Sequence, residues 1–182
     1  MNMALSEIEK HLKTLRLHGM NSTLSTRITQ ANQGDCFVEV FACLVHDELD
    51  SRHSRLIETR FKASGLKEQP TLTEFDWGFN PKLPKKEIYE LVSGKFITDG
   101  QDALLIGSPG TGKSHIAKTV AHAAIETGYK VVYREAHTFF EDLFEASELK
   151  RKKKVNKLFA EADLLVIDDL FLRKKMPEQA AD

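Results

Sequence analysis

The feature that most constrains the fold is a glycine-rich stretch, Gly107–Ser114, which reads GSPGTGKS and fits the pattern GxxxxGK[ST]. The apolar run Ala103–Ile106 precedes it and predicts a strand. Apolar residues at helical spacing follow from Lys113 to about Thr127. A strand, a glycine-rich loop and a helix in this order predict a turn whose backbone N–H groups and helix start surround a phosphate. The alternative is a glycine-rich turn with an incidental lysine.

Each part of this loop has a chemical reason. Glycine permits the backbone turns that point successive N–H groups inward. Lys113 is expected to reach the outer phosphates of a nucleotide, and the Ser114 hydroxyl is expected to bind Mg²⁺. The predicted nucleotide-binding residues are those of the motif and the histidine that follows it: Gly107, Ser108, Pro109, Gly110, Thr111, Gly112, Lys113, Ser114 and His115.

A second pattern lies downstream, where the apolar residues Leu164–Ile167 run into Asp168 and Asp169. Asp168 is predicted to hold Mg²⁺, directly or through a water, at the carboxyl end of a strand. Asp169 is predicted to polarise the attacking water as general base. Lys113 and Asp169 are therefore the predicted catalytic residues. The alternative for the acidic pair is a strand that ends at a solvated turn, and the second carboxylate favours nucleotide hydrolysis over a small-molecule kinase.

Strands and helices alternate around these motifs. A helix is predicted at Lys86–Ser93, a strand at Lys130–Arg134, a helix capped by Thr138 and Glu141, and another helix over about residues 148–162. Strands that are apolar on both faces and alternate with helices indicate a parallel sheet covered by helices, an α/β fold.

The first 64 residues are predicted to be helical. The longest helix carries an apolar stripe, and its other face carries charged residues such as Asp47 and Glu48. The expected organisation is a small helical domain at residues 1–66, a linker at 67–84 and a nucleotide-binding domain at 85–182. In the linker, Phe75, Trp77 and Phe79 are expected to pack onto the domain that follows, with an aromatic platform for nucleic-acid bases as the alternative.

Composition and charge limit the class of protein and the compartment that the sequence is compatible with. The chain has 26 Lys and Arg against 27 Asp and Glu, a net charge of −1, which excludes a uniformly basic, histone-like binder. Its apolar runs are too short to span a bilayer, and no secretory signal is visible. Cys36 and Cys43 lack the spacing of a zinc site. We therefore expect a soluble, cytoplasmic protein.

Residues 150–157 read KRKKKVNK, six cations among eight residues. On a helix, Lys150, Lys153, Lys154 and Lys157 share one arc opposite the apolar face. This arc is either a solvated face or a surface for the phosphate backbone of DNA, and such binding is sequence-independent and salt-sensitive.

With these motifs in hand, the chain resembles the IstB-like ATP-binding proteins, the transposition helpers of bacterial insertion sequences. The resemblance covers nearly all of the chain, from HLKTLRLHGM and ELDSRHSRLIETRFKASGL through TLTEFDW to LLIGSPGTGKSHIAKTV and LLVIDDL. The family is similar to the DnaC helicase loaders, within the AAA+ class of P-loop NTPases. The resemblance implies ATP and Mg²⁺ as cofactors, ATP hydrolysis, and an oligomer that binds target DNA and recruits or stimulates a cognate transposase.

In proteins of this class a later strand lies between the P-loop strand and the acidic strand, and a sensor residue, an arginine and a helical lid follow. The resemblance places these parts after residue 182, so the chain is expected to be a truncated ATPase domain that ends after the acidic strand. Three functions stay open at this point. They are a transposition helper ATPase, a DnaC-like helicase loader and a catalytically inactive remnant.

Overall fold

The computed structural model describes residues 3–148 and 152–170. The side chains of Met3, of residues 145–148 and of residues 152–154 lie outside this description. The chain forms two compact units that divide between Glu58 and Thr59, within a long helix. The predicted domain limits at residues 66 and 84 stay a prediction.

The first unit is helical, as the sequence predicts. It contains α1 (Met3–Thr14), α2 (His18–Asn32) and most of α3 (Phe37–Ser64). α2 begins at His18, so Gly19 lies in its first turn, where a Cβ atom would come 2.4 Å from the Asp47 backbone oxygen. Glycine at this position therefore lets the two helices approach closely.

The contact between α2 and α3 is polar. The buried Glu48 carboxylate accepts from the backbone N–H groups of Gly19 and Met20 at 2.7 and 3.3 Å, which satisfies two free donors at the start of α2. The Arg27 guanidinium donates to both oxygens of Asp47, at 2.7 and 2.8 Å. Asp47 and Glu48 belong to the charged face that the sequence sets opposite the apolar stripe, and this charged face is the one that meets α2.

The apolar stripe of α3 is largely open to solvent in its first half. Phe37 is 74% exposed, Phe41 52% and Leu49 57%, and the rings of Phe37 and Phe41 stack with centroids 6.2 Å apart. Further along the helix, in the second unit, Phe61 meets the ring of His122 edge-on at 6.2 Å.

The second unit alternates helices and strands. After the end of α3, a 3₁₀ turn (Leu72–Glu74) leads to α4 (Lys85–Val92), α5 (Lys95–Thr98), α6 (Lys113–Glu126), β1 (Val131–Glu135), α7 (Ala136–Glu148), α8 (Lys152–Ala160) and β2 (Leu164–Asp168). β1 and β2 pair in parallel, with Val131 opposite Leu164 and Glu135 opposite Asp168. This is the predicted α/β arrangement, with a small parallel sheet against helices.

Two local predictions were wrong. Ala103–Ile106 forms no strand, because within residues 3–148 and 152–170 the only sheet pairs β1 with β2 and leaves this segment without a neighbour. The helix after β1 begins at Ala136, directly at the strand end, so Thr138 lies inside its first turn and does not cap it.

The core of the second unit forms around α6. Ile88, Ile116 and Val120 are buried together. Side chains from the linker, from α5 and from both motif segments pack on them, among them Phe75, Trp77, Phe96, Leu105 and Leu164. The expected packing of the linker aromatics is confirmed for Phe75 and Trp77, whereas Phe79 is 66% exposed. Searched over the same residues, the helices include none that is long and apolar enough to cross a membrane.

Candidate nucleotide-binding site

The glycine-rich loop leads directly into the first turn of α6. Gly110 and Gly112 have φ values of 75° and 94°, in the left-handed region where glycine carries no steric penalty. Gly112 is the N-cap of α6, and among the described residues no side chain caps this helix start. The first N–H groups of α6 and its positive dipole end therefore face the loop, an arrangement suited to an anion.

The loop is held closed from within. The Ser108 carbonyl oxygen accepts from the Lys113 ammonium at 2.8 Å and from the Thr111 hydroxyl at 2.9 Å. The side chain of Asn80 reaches over from the linker and donates to the Thr111 carbonyl at 3.4 Å. The Lys113 ammonium thus lies over the loop that the sequence predicts to bind phosphate, at a backbone oxygen that a phosphate oxygen could replace.

The structure brings together the two motifs that are far apart in the sequence. The Ser114 hydroxyl donates to Asp168 Oδ1 at 3.0 Å, and the backbone N–H of Asp169 donates to the same oxygen at 2.9 Å. α6 supplies the hydroxyl and the end of β2 supplies the carboxylate, so helix and strand ends meet at one point. A hydroxyl and a carboxylate oxygen are hard ligands of the kind that Mg²⁺ prefers, so the donor set fits this ion.

A residue that the sequence reasoning missed completes this cluster. Tyr133 is 7% exposed on β1, and its hydroxyl donates to Asp168 Oδ2 at 2.6 Å. Burial and the Asp168 carboxylate raise the pKa of Tyr133 far above its ordinary value. In the sequence this tyrosine is one more residue of the strand VVYRE, and only the register of β1 on β2 shows what it contacts.

Asp169 takes part in this cluster through its backbone N–H, which donates to Asp168 Oδ1. It is exposed, and its φ of 58° directs the chain out of the strand. Desolvation, then the carboxylates of Asp168 and Glu135, raise the pKa of Asp169, while Lys113 opposes them. Glu135 also lies 3.4 Å from His137 Nδ1. A raised pKa makes this carboxylate more basic, which is the property that a general base beside the glycine-rich loop would need.

The linker forms one wall beside the loop. The rings of Phe75 and His115 lie with centroids 5.2 Å apart, and Phe75 also contacts Trp77 at 4.7 Å. A Cβ on Gly112 would lie 3.9 Å from Phe75 Cζ. His115 is exposed, and it is the one aromatic residue among the predicted nucleotide-binding residues.

The basic cluster of residues 150–157 is described only in part. Lys150 lies outside the described residues, and Lys153 and Lys154 are in α8 with side chains outside the description. Lys157 is 70% exposed, with its ammonium 3.6 Å from the Glu161 carboxylate one turn on. Of the apolar face predicted for this helix, Phe159 packs against Phe139 with ring centroids 5.0 Å apart, whereas Leu158 is 39% exposed.

The parallel sheet against helices, with a glycine-rich loop at the start of α6, defines the class as an α/β fold of the P-loop NTPase type. A search against protein families matches residues 10–181 to the IstB-like ATP binding protein family. The chain belongs to this family.

Curated relatives agree with this assignment. The chain is similar to an insertion-sequence ATP-binding protein of Mycobacterium tuberculosis, 28% identical over 94% of this chain and 68% of the relative. It is also similar to the IS21 ATP-binding protein of Pseudomonas aeruginosa, 26% identical over 91% of this chain and 63% of the relative. A Geobacillus stearothermophilus protein of IS5376 is 31% identical over 75% of this chain and 55% of the relative. The chain thus matches between 55% and 68% of the length of these relatives.

Proposed function

We propose that this chain binds ATP with Mg²⁺ at the loop Gly107–Ser114 and acts as an ATP-dependent helper in the transposition of an insertion sequence. The observation that carries the proposal is the bond of 3.0 Å between the Ser114 hydroxyl and Asp168 Oδ1. It joins the phosphate loop to the acidic strand end, as a nucleotide site with a bound metal ion requires. The relatives are named as ATP-binding proteins of insertion sequences, which supports the same conclusion.

The geometry supports a proposed role for each residue of the site. The N–H groups of the loop and of the first turn of α6 hold the phosphates, and Lys113 exchanges its bond to the Ser108 oxygen for a phosphate oxygen. Ser114 and Asp168 hold Mg²⁺, which supplies charge neutralisation at the phosphates. Asp169, whose carboxyl pKa is raised, orients and polarises the attacking water.

Nucleotide binding is tested by titrating the protein with a fluorescent ATP analogue and Mg²⁺, and following anisotropy. We expect Lys113→Ala to weaken binding by at least about tenfold, since it removes one charge-assisted hydrogen bond. Lys118→Ala is the matched control. It lies on the same helix and loses its ion pair with Glu68, whose side chain is 66% exposed. Equal affinity of the two variants contradicts the assignment of the loop.

We propose that the lysine arc Lys150, Lys153, Lys154 and Lys157 binds the DNA phosphate backbone. Lys157 supports this, because it is 70% exposed and its ion pair with Glu161 is a surface pair of little stability. The chain as a whole has a net charge of −1, so it is not attracted to DNA as a whole. Sequence-independent electrostatic binding therefore requires a local concentration of positive charge such as this arc.

A salt series tests the arc. Each phosphate contact contributes about 0.9 to the slope of log K against log salt concentration. Replacing all four lysines by alanine is expected to flatten this slope by up to about 3.6. The control removes four exposed lysines that are dispersed over the second unit, Lys67, Lys82, Lys86 and Lys95, with the same change in net charge. If both variants flatten the slope equally, the effect is one of total charge, and the proposed DNA contact of the arc is contradicted.

We propose that ATP-bound protein associates with other copies of itself and with the transposase encoded beside it. The test is a pull-down of the transposase with this chain in the presence of ATP. The Lys113→Ala variant, used as bait under the same conditions, is the control. Capture of a replicative helicase in its place favours a helicase loader. If the chain binds nucleotide but does not hydrolyse it, and a longer relative restores hydrolysis, the result favours an inactive remnant.

A further inference from the structure

The carboxylate of Asp168 is held on both sides. Its Oδ1 accepts from the Ser114 hydroxyl and from a backbone N–H, and its Oδ2 accepts from the Tyr133 hydroxyl at 2.6 Å. The bond to Oδ2 is in the distance range of charge-assisted O–H···O bonds, about 2.5–2.7 Å, which are roughly twice as strong as neutral ones. Ser114 and Tyr133 therefore bind different oxygens of the same carboxylate.

The sheet register explains why a tyrosine reaches this oxygen. Tyr133 lies opposite Val166, two residues before Asp168, so the two side chains are diagonal neighbours on one face of the sheet. The hydrogen bond of 2.6 Å shows that the tyrosine side chain spans this diagonal. A phenylalanine at this position would fill the same space with its ring and leave Oδ2 without its donor.

We propose that Tyr133 is a positioning residue for the metal site: it fixes the plane of the Asp168 carboxylate so that Oδ1 faces Ser114 and the phosphate loop. The terminal torsion of an aspartate is broad, so a carboxylate held by one side only can turn. Bonds to both oxygens remove that freedom before any ion binds. This inference rests on the proposed function, because Asp168 and Ser114 are there assigned to Mg²⁺.

Tyr133→Phe tests the proposal through the Mg²⁺ dependence of nucleotide binding, without reference to turnover. We expect the affinity for the ATP analogue in EDTA to stay within about twofold, and the affinity for Mg²⁺ in the presence of nucleotide to fall by about tenfold, as for other residues that orient metal ligands. Tyr129→Phe is the matched control, because it also removes a tyrosine hydroxyl with one partner, Thr98 at 3.0 Å.

The outcomes separate this inference from the proposed function. If Mg²⁺ does not strengthen nucleotide binding in the unaltered chain, the proposed function fails. If it does, and Tyr133→Phe keeps the full Mg²⁺ affinity, only the positioning role fails. Equal losses with and without Mg²⁺ reveal a merely structural role and also overturn it. In an Asp168→Asn background, Tyr133→Phe is expected to cause no further loss, since it acts through that carboxylate.

A second measurement leaves Tyr133 in place. The chain has three tyrosines and one tryptophan, so the double variant Tyr89→Phe and Tyr129→Phe leaves Tyr133 as its one tyrosine. The same titration with Tyr133→Phe added to that variant gives the tryptophan contribution to subtract. Adding Mg²⁺ to the nucleotide-bound double variant is expected to shift the tyrosine absorption band, because a cation at Asp168 weakens the bond that Oδ2 accepts. A band that does not move, while Mg²⁺ binds, contradicts the proposal.

Discussion

Gly19→Ala examines how closely the two helices of the first unit approach. A Cβ at this position would lie 2.4 Å from the Asp47 backbone oxygen, 2.6 Å from Glu48 Cα and 2.8 Å from Ser51 Cβ. Backbone atoms form two of these three contacts, so no side chain can rotate away to relieve them. To reach an ordinary contact of 3.4 Å, α2 and α3 must separate locally by about 3.4 − 2.4 = 1.0 Å.

That separation breaks polar contacts. The Gly19 N–H to Glu48 Oε2 distance of 2.7 Å would lengthen beyond hydrogen-bond range, and the Met20 bond of 3.3 Å would follow. Hydrogen bonds to a charged group contribute about 1.5–3 kcal/mol each. Alanine returns about 1 kcal/mol through its better helix propensity. A net loss of about 2–5 kcal/mol in the free energy of unfolding is therefore expected.

Urea unfolding of the full chain, followed by the helical circular dichroism signal, measures the loss. Because the chain has two units, two transitions are analysed separately if they appear. Thr26→Ala, on an exposed position of the same helix, is the control, and it is expected to be neutral or stabilising by under about 0.7 kcal/mol. If Gly19→Ala is as stable as the control, the close approach of the helices does not limit this position and the reasoning is refuted.

Two further predictions concern charge and loop conformation. Hydrogen bonds from Arg27 to Asp47, and from Arg52 to Glu48, lower the pKa values of these two carboxyl groups, so their contribution to stability is present above the ordinary carboxyl pKa and is lost as the pH falls through the lowered values. The urea concentration at the unfolding midpoint is expected to decrease as the pH is lowered from about 5 to about 3, and to decrease less steeply in Asp47→Asn. Gly112→Ala places a Cβ at a φ of 94° and 3.9 Å from Phe75 Cζ, so the methyl group fits but strains the loop by about 1–2 kcal/mol. Binding of the ATP analogue is expected to weaken by about tenfold in the same anisotropy titration.

Local patterns predicted the parts of the fold that depend on local rules. The helix at Lys113, the strand at Lys130–Arg134 and the acidic strand at Leu164–Ile167 each match an observed element to within one residue at the start. Spacing and residue type were sufficient there, since the amphipathic period of a helix and an apolar run for a buried strand are properties of the segment itself.

Ala103–Ile106 shows where local patterns stop. The run is as apolar as β2, yet Leu104 is 73% exposed and Ile106 85% exposed, and Leu105 alone packs on the core of α6. A strand is a pairing between segments, so its formation depends on a neighbour that the run itself does not encode. The same reasoning applies to α3, where apolar periodicity identified the helix correctly but not which face meets α2.

The same distinction holds at the site, where some residues are identified from their own segment and one is identified from the pairing of strands. A motif finds Ser114 and Asp168 because each follows a recognisable segment, and it even fixes which atoms they offer. It cannot find Tyr133, because that residue is defined by its register against Asp168 across two strands, and an apolar strand tolerates tyrosine for packing alone. The residues that we propose to bind nucleotide and metal can therefore be identified from the sequence, whereas the residue that we propose to position Asp168 is identified only by the pairing of β1 with β2. For this reason Tyr133→Phe, which keeps the packing and removes the one bond that the pairing creates, tests more of the structure than any change within the motifs.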